Sequence, residues 1–311
     1  MLYRAKDNVL DTLDIEWSKS FTLIPSLLTL FQNKNPGTFV ALDLDQDDQF
    51  FRAFVSLGVA IKTTRFCLPL FGFDGTNSMN NKYHGVILTL IGRETETIKR
   101  LDLQLLTLKY EDNIEWFFRN CVAAGLVFDS IPIFSDRGHI VGASEKLALE
   151  GIRLNLKFCT IHIIRNVRKK FKLRGKDIEN AIFDVQGAPT EVKYNFALGK
   201  LELNFGKATW DYVANILPVN WCVWANMPTS SSVLHDYFVP APLFEWRSTN
   251  FVESDNNVVL SSGLRRCTPF GMLHQAMMQM MHAATTRRTL VETWRDADRY
   301  LTPKVRALRE E

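Results

Sequence analysis

The chain has 311 residues, a formal net charge of +3 and an apolar fraction of 46%, values that are typical of a globular protein with one large domain or two smaller ones. No apolar run reaches the roughly 18 to 20 residues that a membrane-spanning helix requires, so we expect a soluble protein without membrane partners. The five cysteines are scattered and follow no secretory signal peptide, which favours reduced thiols and an intracellular location. The 22 Phe and 7 Trp residues are spread along the chain, which predicts that they pack in a core.

The first predicted elements are a helix and a hairpin. Ile24 to Phe31 has a helical pattern, and Asn35-Pro36-Gly37 ends it. Thr38 to Leu44 and Gln49 to Leu57 alternate apolar and polar residues on either side of an acidic turn, which indicates two paired strands.

The centre of the chain predicts three successive strands, then a helix and a further strand. The three strands are Leu68 to Asp74, Gly85 to Gly92 and Leu101 to Tyr110. Asn113 to Gly125 has apolar residues at helical spacing and ends on glycine, and Ile131 to Phe134 resumes as a buried strand.

The next segment continues the alternation of helix and strand. Ile140 to Leu149 and Thr160 to Phe171 are predicted helices, and Leu154 to Phe158 is a short strand between them. Three meandering strands followed by helix-linked strands indicate a mixed sheet with helices on its faces, so the predicted fold class is α/β.

The strand pattern stops near residue 172 and does not return. Helix-like segments with Gly, Pro and Asn breaks continue to about residue 244, which predicts a mainly helical insertion. Ser248 to Leu264 and Met272 to Tyr300 are predicted helices after it. The methionines between Met272 and Met281 are expected in the core.

Three acidic residues are candidate metal ligands. Asp74 and Asp136 each close a buried apolar run and are followed by glycine within two residues, so both carboxylates are expected at strand ends, where α/β sheets form ligand sites. An Asp-Gly hairpin turn would explain Asp74 alone. Two such carboxylates repel unless a hard divalent cation joins them. Glu253, at the start of a predicted helix, is the candidate for a third ligand, although a helix N-terminus alone also favours glutamate.

Two further groups of residues are candidate binding positions. Cys159 and His162 have the spacing of zinc ligands, but no second Cys/His pair lies at a matching short spacing, so a structural pair that seats the helix is the favoured alternative. From Arg165 to Lys176 the sequence RNVRKKFKLRGK holds seven basic residues and no acidic one. This run is interpreted either as a solvated helix face or as a patch for phosphate contact or nuclear targeting.

Six blocks of the sequence together resemble the catalytic region of Mutator-like (MULE) DNA transposases. In chain order they read NPGTFVALDLDQDDQFFRAF, FGFDGTNSMNNKYHGVILTLIGRE, YEDNIEWFFRN, IPIFSDRGHIVGASEKL, CTIHIIRNVRKKFK and RSTNFVESDNN…LRRCTP. Their order and approximate spacing match the family from about Leu27 to Leu290. Each motif is short, and the specificity comes from all six in order.

The resemblance implies an RNase H-like fold, with a mixed five-stranded sheet flanked by helices and a helical insertion before the last catalytic helix. The aspartates of the family's DGT and SDR motifs match Asp74 and Asp136, and its later glutamate matches Glu253. Its Cys-x-x-His motif matches Cys159 and His162, and a tryptophan of its insertion aligns loosely with Trp221. The implied parts are an N-terminal helix and hairpin, a first core part, the insertion and C-terminal core helices, over residues 1–66, 67–172, 173–244 and 245–311.

The same resemblance implies a nuclear enzyme that cuts DNA at transposon ends and joins the freed 3′ ends to a target, as a possible homo-oligomer. Two Mg²⁺ or Mn²⁺ ions would be held by the three acidic residues. The expected DNA-phosphate contacts are Arg165, Arg168, Lys169 and Lys170. Relatives commonly carry zinc-binding domains on both sides, and neither cysteine pattern occurs here, so we expect a catalytic core, a fragment or a derivative. The alternatives are a domesticated DNA-binding or regulatory protein without catalysis, and another RNase H-like nuclease.

Overall fold

The computed structural model describes residues 17–93, 98–106, 111–227, 243 and 263–297, with the backbone alone at residues 93 and 98–106. The predicted helix Ser248 to Leu264 lies almost wholly outside the described residues, and so does Glu253 within it. None of the described helices is long and apolar enough to cross a membrane. The five cysteines are free thiols.

Seven strands form one sheet, in the spatial order β1-β2-β5-β4-β3-β6-β7. All pairings among β1 to β5 are antiparallel. On its other side β3 pairs parallel with β6, and β6 pairs parallel with β7. The strands are β1 Phe39–Leu44, β2 Phe50–Ser56, β3 Leu68–Asn77, β4 Val86–Arg93, β5 Ile98–Leu106, β6 Pro132–Ser135 and β7 Asn155–Phe158.

The described part of the chain contains nine α-helices, and a further helical segment, residues 17–22, precedes the first of these helices. Five of the nine lie before, between or directly after the strands, three form the helical module of residues 176–214, and the last follows residue 268. They are α1 Ile24–Lys34, α2 Gly58–Thr63, α3 Glu111–Ala123, α4 Ile140–Leu149, α5 Thr160–Phe171, α6 Lys176–Gly187, α7 Glu191–Phe205, α8 Lys207–Ala214 and α9 Pro269–Asp296.

The predicted α/β class is confirmed, and the seven-stranded sheet is larger than the five-stranded sheet that the resemblance implies. The predicted hairpin joins the sheet because β2 pairs with β5, from Arg52 opposite Leu106 to Ser56 opposite Asp102. The strand predicted from Leu101 to Tyr110 begins earlier, at Ile98, and its predicted residues 107–110 lie outside the described residues. Alternation of apolar residues marks a strand but does not say where its hydrogen-bond pairing starts.

Helix α3 packs on the sheet through aromatic residues, which the composition predicted for the core. Its buried positions Ile114, Phe117, Phe118 and Cys121 follow a helical spacing of three and four, which forms one apolar face. The ring centroids of Phe73 on β3 and Phe118 lie 5.1 Å apart. Burying each Phe contributes about 1.5–3 kcal/mol, so this face is a major source of stability.

The long C-terminal helix α9 also packs in the core. Thr268 caps it, accepting a hydrogen bond from the Gly271 backbone N–H at 3.2 Å. Met272, Met277 and Met280 are buried in the main core cluster, as the sequence predicted for these methionines. The helix ends at Asp296, earlier than the predicted end at Tyr300, which lies outside the described residues.

The helical module α6–α8 returns to the sheet through the short turn of residues 218–226. Lys157 of β7 is 1% exposed, and its Nζ donates a 2.8 Å hydrogen bond to the Val219 carbonyl oxygen in that turn. Asn226 donates to the same carbonyl oxygen at 3.0 Å. Burial lowers the pKa of Lys157 to about 7, because the interior disfavours its charged form.

This buried lysine predicts how stability depends on pH. Between pH 7 and the ordinary lysine pKa of 10.5, the unfolded chain holds a proton that the folded chain has released, so the free energy of unfolding rises with pH in that window. We expect Lys157→Met to reduce the rise between pH 7 and pH 9 by about 2 kcal/mol in urea unfolding. The lost hydrogen bond to Val219 lowers stability equally at both pH values. Equal rises in the variant and the wild type would contradict the prediction.

Candidate active site at the ends of three parallel strands

The carboxyl ends of β3, β6 and β7 lie side by side at one edge of the sheet. Phe71 pairs with Ile133 and Gly72 with Phe134, and continuing this register by two residues sets Asp136 beside Asp74. Ser135 pairs with Phe158, so continuing that register by one residue brings Cys159 beside Asp136. The strand order also changes direction here, because β4 and β5 follow on one side of β3 and β6 and β7 follow on the other. Open α/β sheets bind ligands at such a switch point.

Asp74 lies near the carboxyl end of β3 and is half-buried. Its Oδ1 accepts a 2.8 Å hydrogen bond from the Gly75 backbone N–H, and its register partner on β4 is Thr89. The Thr89 hydroxyl is buried and makes no hydrogen bond among the described residues. The strand continues to Asn77, so Asp74 is a strand residue and not the first residue of a tight Asp-Gly hairpin turn.

Asp136 directly follows β6 and turns back on its own loop. Its Oδ1 accepts a long 3.4 Å hydrogen bond from the Gly138 backbone N–H. A Cβ atom at Gly138 would lie 3.3 Å from each carboxylate oxygen. Glycine at this position therefore leaves the carboxylate room that any larger residue would reduce.

Cys159 and His162 complete this edge of the sheet. Cys159 is fully buried, and its backbone N–H donates a 2.9 Å hydrogen bond to the Ser135 carbonyl oxygen. His162 lies one turn later in α5 and is half-buried, so its side chain returns toward Cys159.

The pKa of His162 is raised, and its causes locate the imidazole. The largest is a side-chain hydrogen bond with Cys159, followed by the opposing effect of burial and by attraction to Cys159, Asp136 and Asp74. A histidine proton can be stabilised by both carboxylates only if both lie close to the ring. Both carboxylates therefore lie near the imidazole, in agreement with the strand register.

The structure brings together four of the five residues predicted from sequence at this site. Asp74 and Asp136 lie on neighbouring strand ends, with Cys159 and His162 next to them, and Glu253 lies outside the described residues. Among the residues that are described, no group of three or more His, Cys, Asp or Glu side chains is arranged to hold a metal ion.

The donor set nevertheless fits a hard divalent cation. Asp74 and Asp136 place two carboxylates on adjacent strand ends, and both contribute, after Cys159, to the raised pKa of His162. Carboxylate oxygens are the ligands that Mg²⁺ and Mn²⁺ prefer. Asp74 and Asp136 would hold such an ion, which would supply electrostatic stabilisation to oxygen atoms of a bound substrate.

The predicted phosphate-contacting cations lie along α5 and differ in their surroundings. Arg165 and Lys169 are exposed. Arg168 binds within the chain, with Nη2 3.0 Å from Glu179 Oε2 of α6 and a further hydrogen bond to the Gly175 carbonyl oxygen. Lys170 Nζ lies 4.8 Å from the ring centroid of Tyr212 on α8. Arg168 therefore joins α5 to α6, whereas Lys170 faces α8.

Sequence reasoning assigned no role to Arg137 or Tyr212. The Arg137 guanidinium lies 5.3 Å from the Tyr212 ring centroid, and its Nη2 is 3.5 Å from the Tyr212 hydroxyl. Arg137 could have been identified because it directly follows Asp136. Tyr212 is 75 positions further along the chain, and nothing in its local sequence indicates this contact.

No protein-family model matches the chain, and no curated protein matches it. The functional conclusion therefore depends on the arrangement of the strand ends and on the sequence blocks.

Proposed function

We propose that the chain is the catalytic core of a divalent-metal-dependent DNA transposase of the Mutator-like type, with an RNase H-like fold. The observation that carries the proposal is the parallel register of β3 and β6, which sets Asp136 beside Asp74. These are the two aspartates that the DGT and SDR motifs select in sequence.

The strand order of the sheet supports the proposed RNase H-like fold. Strands β5, β4 and β3 form an antiparallel meander, and β6 and β7 follow parallel to β3. This order of five strands, with α3 between β5 and β6 and α4 between β6 and β7, supports the RNase H-like core that the resemblance implies. Strands β1 and β2 extend it at the β5 edge.

The residues of the site would have different roles in phosphoryl transfer. Asp74 and Asp136 would bind the cation that offsets negative charge on the scissile phosphate, and Glu253 would complete the ligand set. Cys159 holds the start of α5 against β6 through its bond to Ser135. The exposed cations Arg165 and Lys169 would bind phosphates on either side of the site.

The test is a strand-cleavage and joining assay with the purified chain. Branched DNA that ends in an inverted repeat is incubated with Mg²⁺ or Mn²⁺, with a second DNA as target and EDTA as the metal-free control. We expect cleavage only with metal, and joining only when the donor strand has a free 3′-hydroxyl. A 3′-dideoxy donor should abolish joining.

Two results would replace the proposal with an alternative. Cleavage without any joining, together with activity on RNA–DNA hybrids, would indicate an RNase H-like nuclease. Salt-sensitive DNA binding without cleavage at any metal concentration would indicate a DNA-binding or regulatory protein that retains the fold without the chemistry.

A further inference from the structure

A cleft of about 920 Å³ opens beside the candidate active site. It is bounded by the loop after β6, helix α4, the end of β7, the C-terminal end of α5, and α8 with the turn that follows it. Arg137, which directly follows Asp136, and Phe158, which directly precedes Cys159, both line it. The cleft therefore begins next to Asp136 and Cys159, at the carboxyl ends of β6 and β7.

The cleft holds two cations against aromatic rings. Arg137 lies between Phe158 and Tyr212, with its Cζ 6.0 Å and 5.3 Å from the two ring centroids. Lys170 lies over Tyr212 and Phe171, with Nζ 4.8 Å and 5.6 Å from their centroids. Cation–π contacts restrict both side chains, so two positive charges are positioned before any ligand arrives.

A buried amide gives the cleft a specific acceptor. Asn220 lines it and is 1% exposed, yet its Oδ1 makes no hydrogen bond within the described part of the chain. An unsatisfied buried acceptor is unfavourable, and a donor on a bound ligand would satisfy it. The combination of an aromatic ring, a buried acceptor and paired cations is the chemistry that recognises a base and its phosphate.

Two carboxylates limit where an anion can bind. Glu145 and Asp211 also line the cleft, and Asp211 Oδ1 is 3.2 Å from Lys207 Nζ at the surface. A ligand with several adjacent phosphates would meet these carboxylates. A single phosphate next to Arg137 and Lys170, with an uncharged base deeper in the cleft, would not.

We infer that this cleft binds one unpaired nucleotide of a DNA strand, its base against Tyr212 and its phosphate at Arg137 and Lys170. The inference rests on the proposed function, because it takes DNA as the substrate. Such a site next to the strand ends would hold a nucleotide that has left the duplex near the scissile phosphate. Extruded nucleotides are bound in this way, by stacking on aromatic side chains and by hydrogen bonds to the base.

The test measures the affinity of the full chain for two DNA probes by fluorescence anisotropy. One probe is a duplex with a single unpaired adenine nucleotide, and the other is the same duplex fully paired. We expect the wild type to prefer the unpaired probe, and Tyr212→Ala to lose roughly 5- to 150-fold of affinity for it, the range for one base–aromatic stack. Tyr212→Phe keeps the ring and should keep the preference.

A second pair of variants protects the test against a folding defect, since both residues are exposed lysines on helices. Lys170→Ala should weaken binding of the unpaired probe more than that of the duplex, because Lys170 lines the cleft. Lys193→Ala removes the same charge from α7, outside the lining of the cleft, and should leave the ratio of the two affinities unchanged. Phe196→Ala, which removes an exposed ring with Lys200 4.7 Å away, is the control for the aromatic substitution.

The outcomes separate this inference from the function it rests on. A wild type that binds both probes equally, or a preference that survives Tyr212→Ala and Lys170→Ala, would overturn the nucleotide site and leave the transposase proposal standing. A wild type that binds neither probe would overturn the proposed function, and the nucleotide site with it.

Discussion

Replacing Asp136 with asparagine is expected to lower the rate of metal-dependent DNA cleavage by at least about 10³-fold, because a carboxylate that binds the cation contributes several kcal/mol of charge stabilisation. Asparagine has nearly the same shape and keeps an oxygen for the Gly138 N–H, so the loop after β6 should retain its fold. Asp74→Asn should cause a loss of similar size. The rates are measured with Mg²⁺ and with Mn²⁺ on the same branched DNA.

Asp129→Asn is the matched control for this prediction. Asp129 is exposed and precedes β6, so it lies at the opposite end of the same strand from Asp136. Its replacement should leave the cleavage rate within about twofold of the wild type. Equal losses in the Asp129 and Asp136 variants, or none in either, would contradict a catalytic role for the β3–β6 edge.

An NMR titration of His162 tests the same geometry without any catalysis. In the wild type in EDTA, its pKa should lie above the ordinary histidine value, and Asp136→Asn should lower it because one of the nearby negative charges is removed. Asp129→Asn should leave it unchanged. A His162 pKa that does not respond to Asp136→Asn would separate the two side chains, whatever the activity assay shows.

Replacing Gly58 with alanine is expected to destabilise the protein by about 2–4 kcal/mol. Gly58 is buried at the start of α2, and the turn between α1 and β1 packs directly on its Cα. An added Cβ would lie 2.5 Å from both the Pro36 carbonyl oxygen and the Gly37 carbonyl carbon. These are backbone atoms that cannot rotate away, and the Gly58 N–H to Thr38 Oγ1 hydrogen bond of 3.1 Å fixes the same contact.

Gly199→Ala is the matched substitution with the opposite expected sign. Gly199 lies inside α7 and is exposed, and a Cβ there would meet nothing within 4 Å. Alanine should stabilise the helix by about 0.5–1 kcal/mol, because glycine loses more backbone freedom on folding. Both variants are measured by urea unfolding, and a Gly58→Ala protein as stable as the wild type would show that the turn can move aside.

Much of the candidate site could be predicted from local sequence. Asp74 and Asp136 each follow a run of buried apolar residues, and such runs mark strands whatever the rest of the chain does. The helical spacing in α3 and the Cys159–His162 pair at the start of α5 are equally local. Strand pairing is not local, so the sequence did not indicate that β5 begins at Ile98 or that β2 pairs with it.

The sequence by itself determined the α/β class, the two aspartates at strand ends and the apolar faces of the helices, because each depends on residues a few positions apart. The tertiary structure alone decided that Asp136 lies beside Asp74, that His162 senses both carboxylates, and that Tyr212 meets Arg137 from the other side of a cleft. These contacts join distant parts of the chain. Their geometry is set by sheet register and helix packing, which no short stretch of sequence encodes.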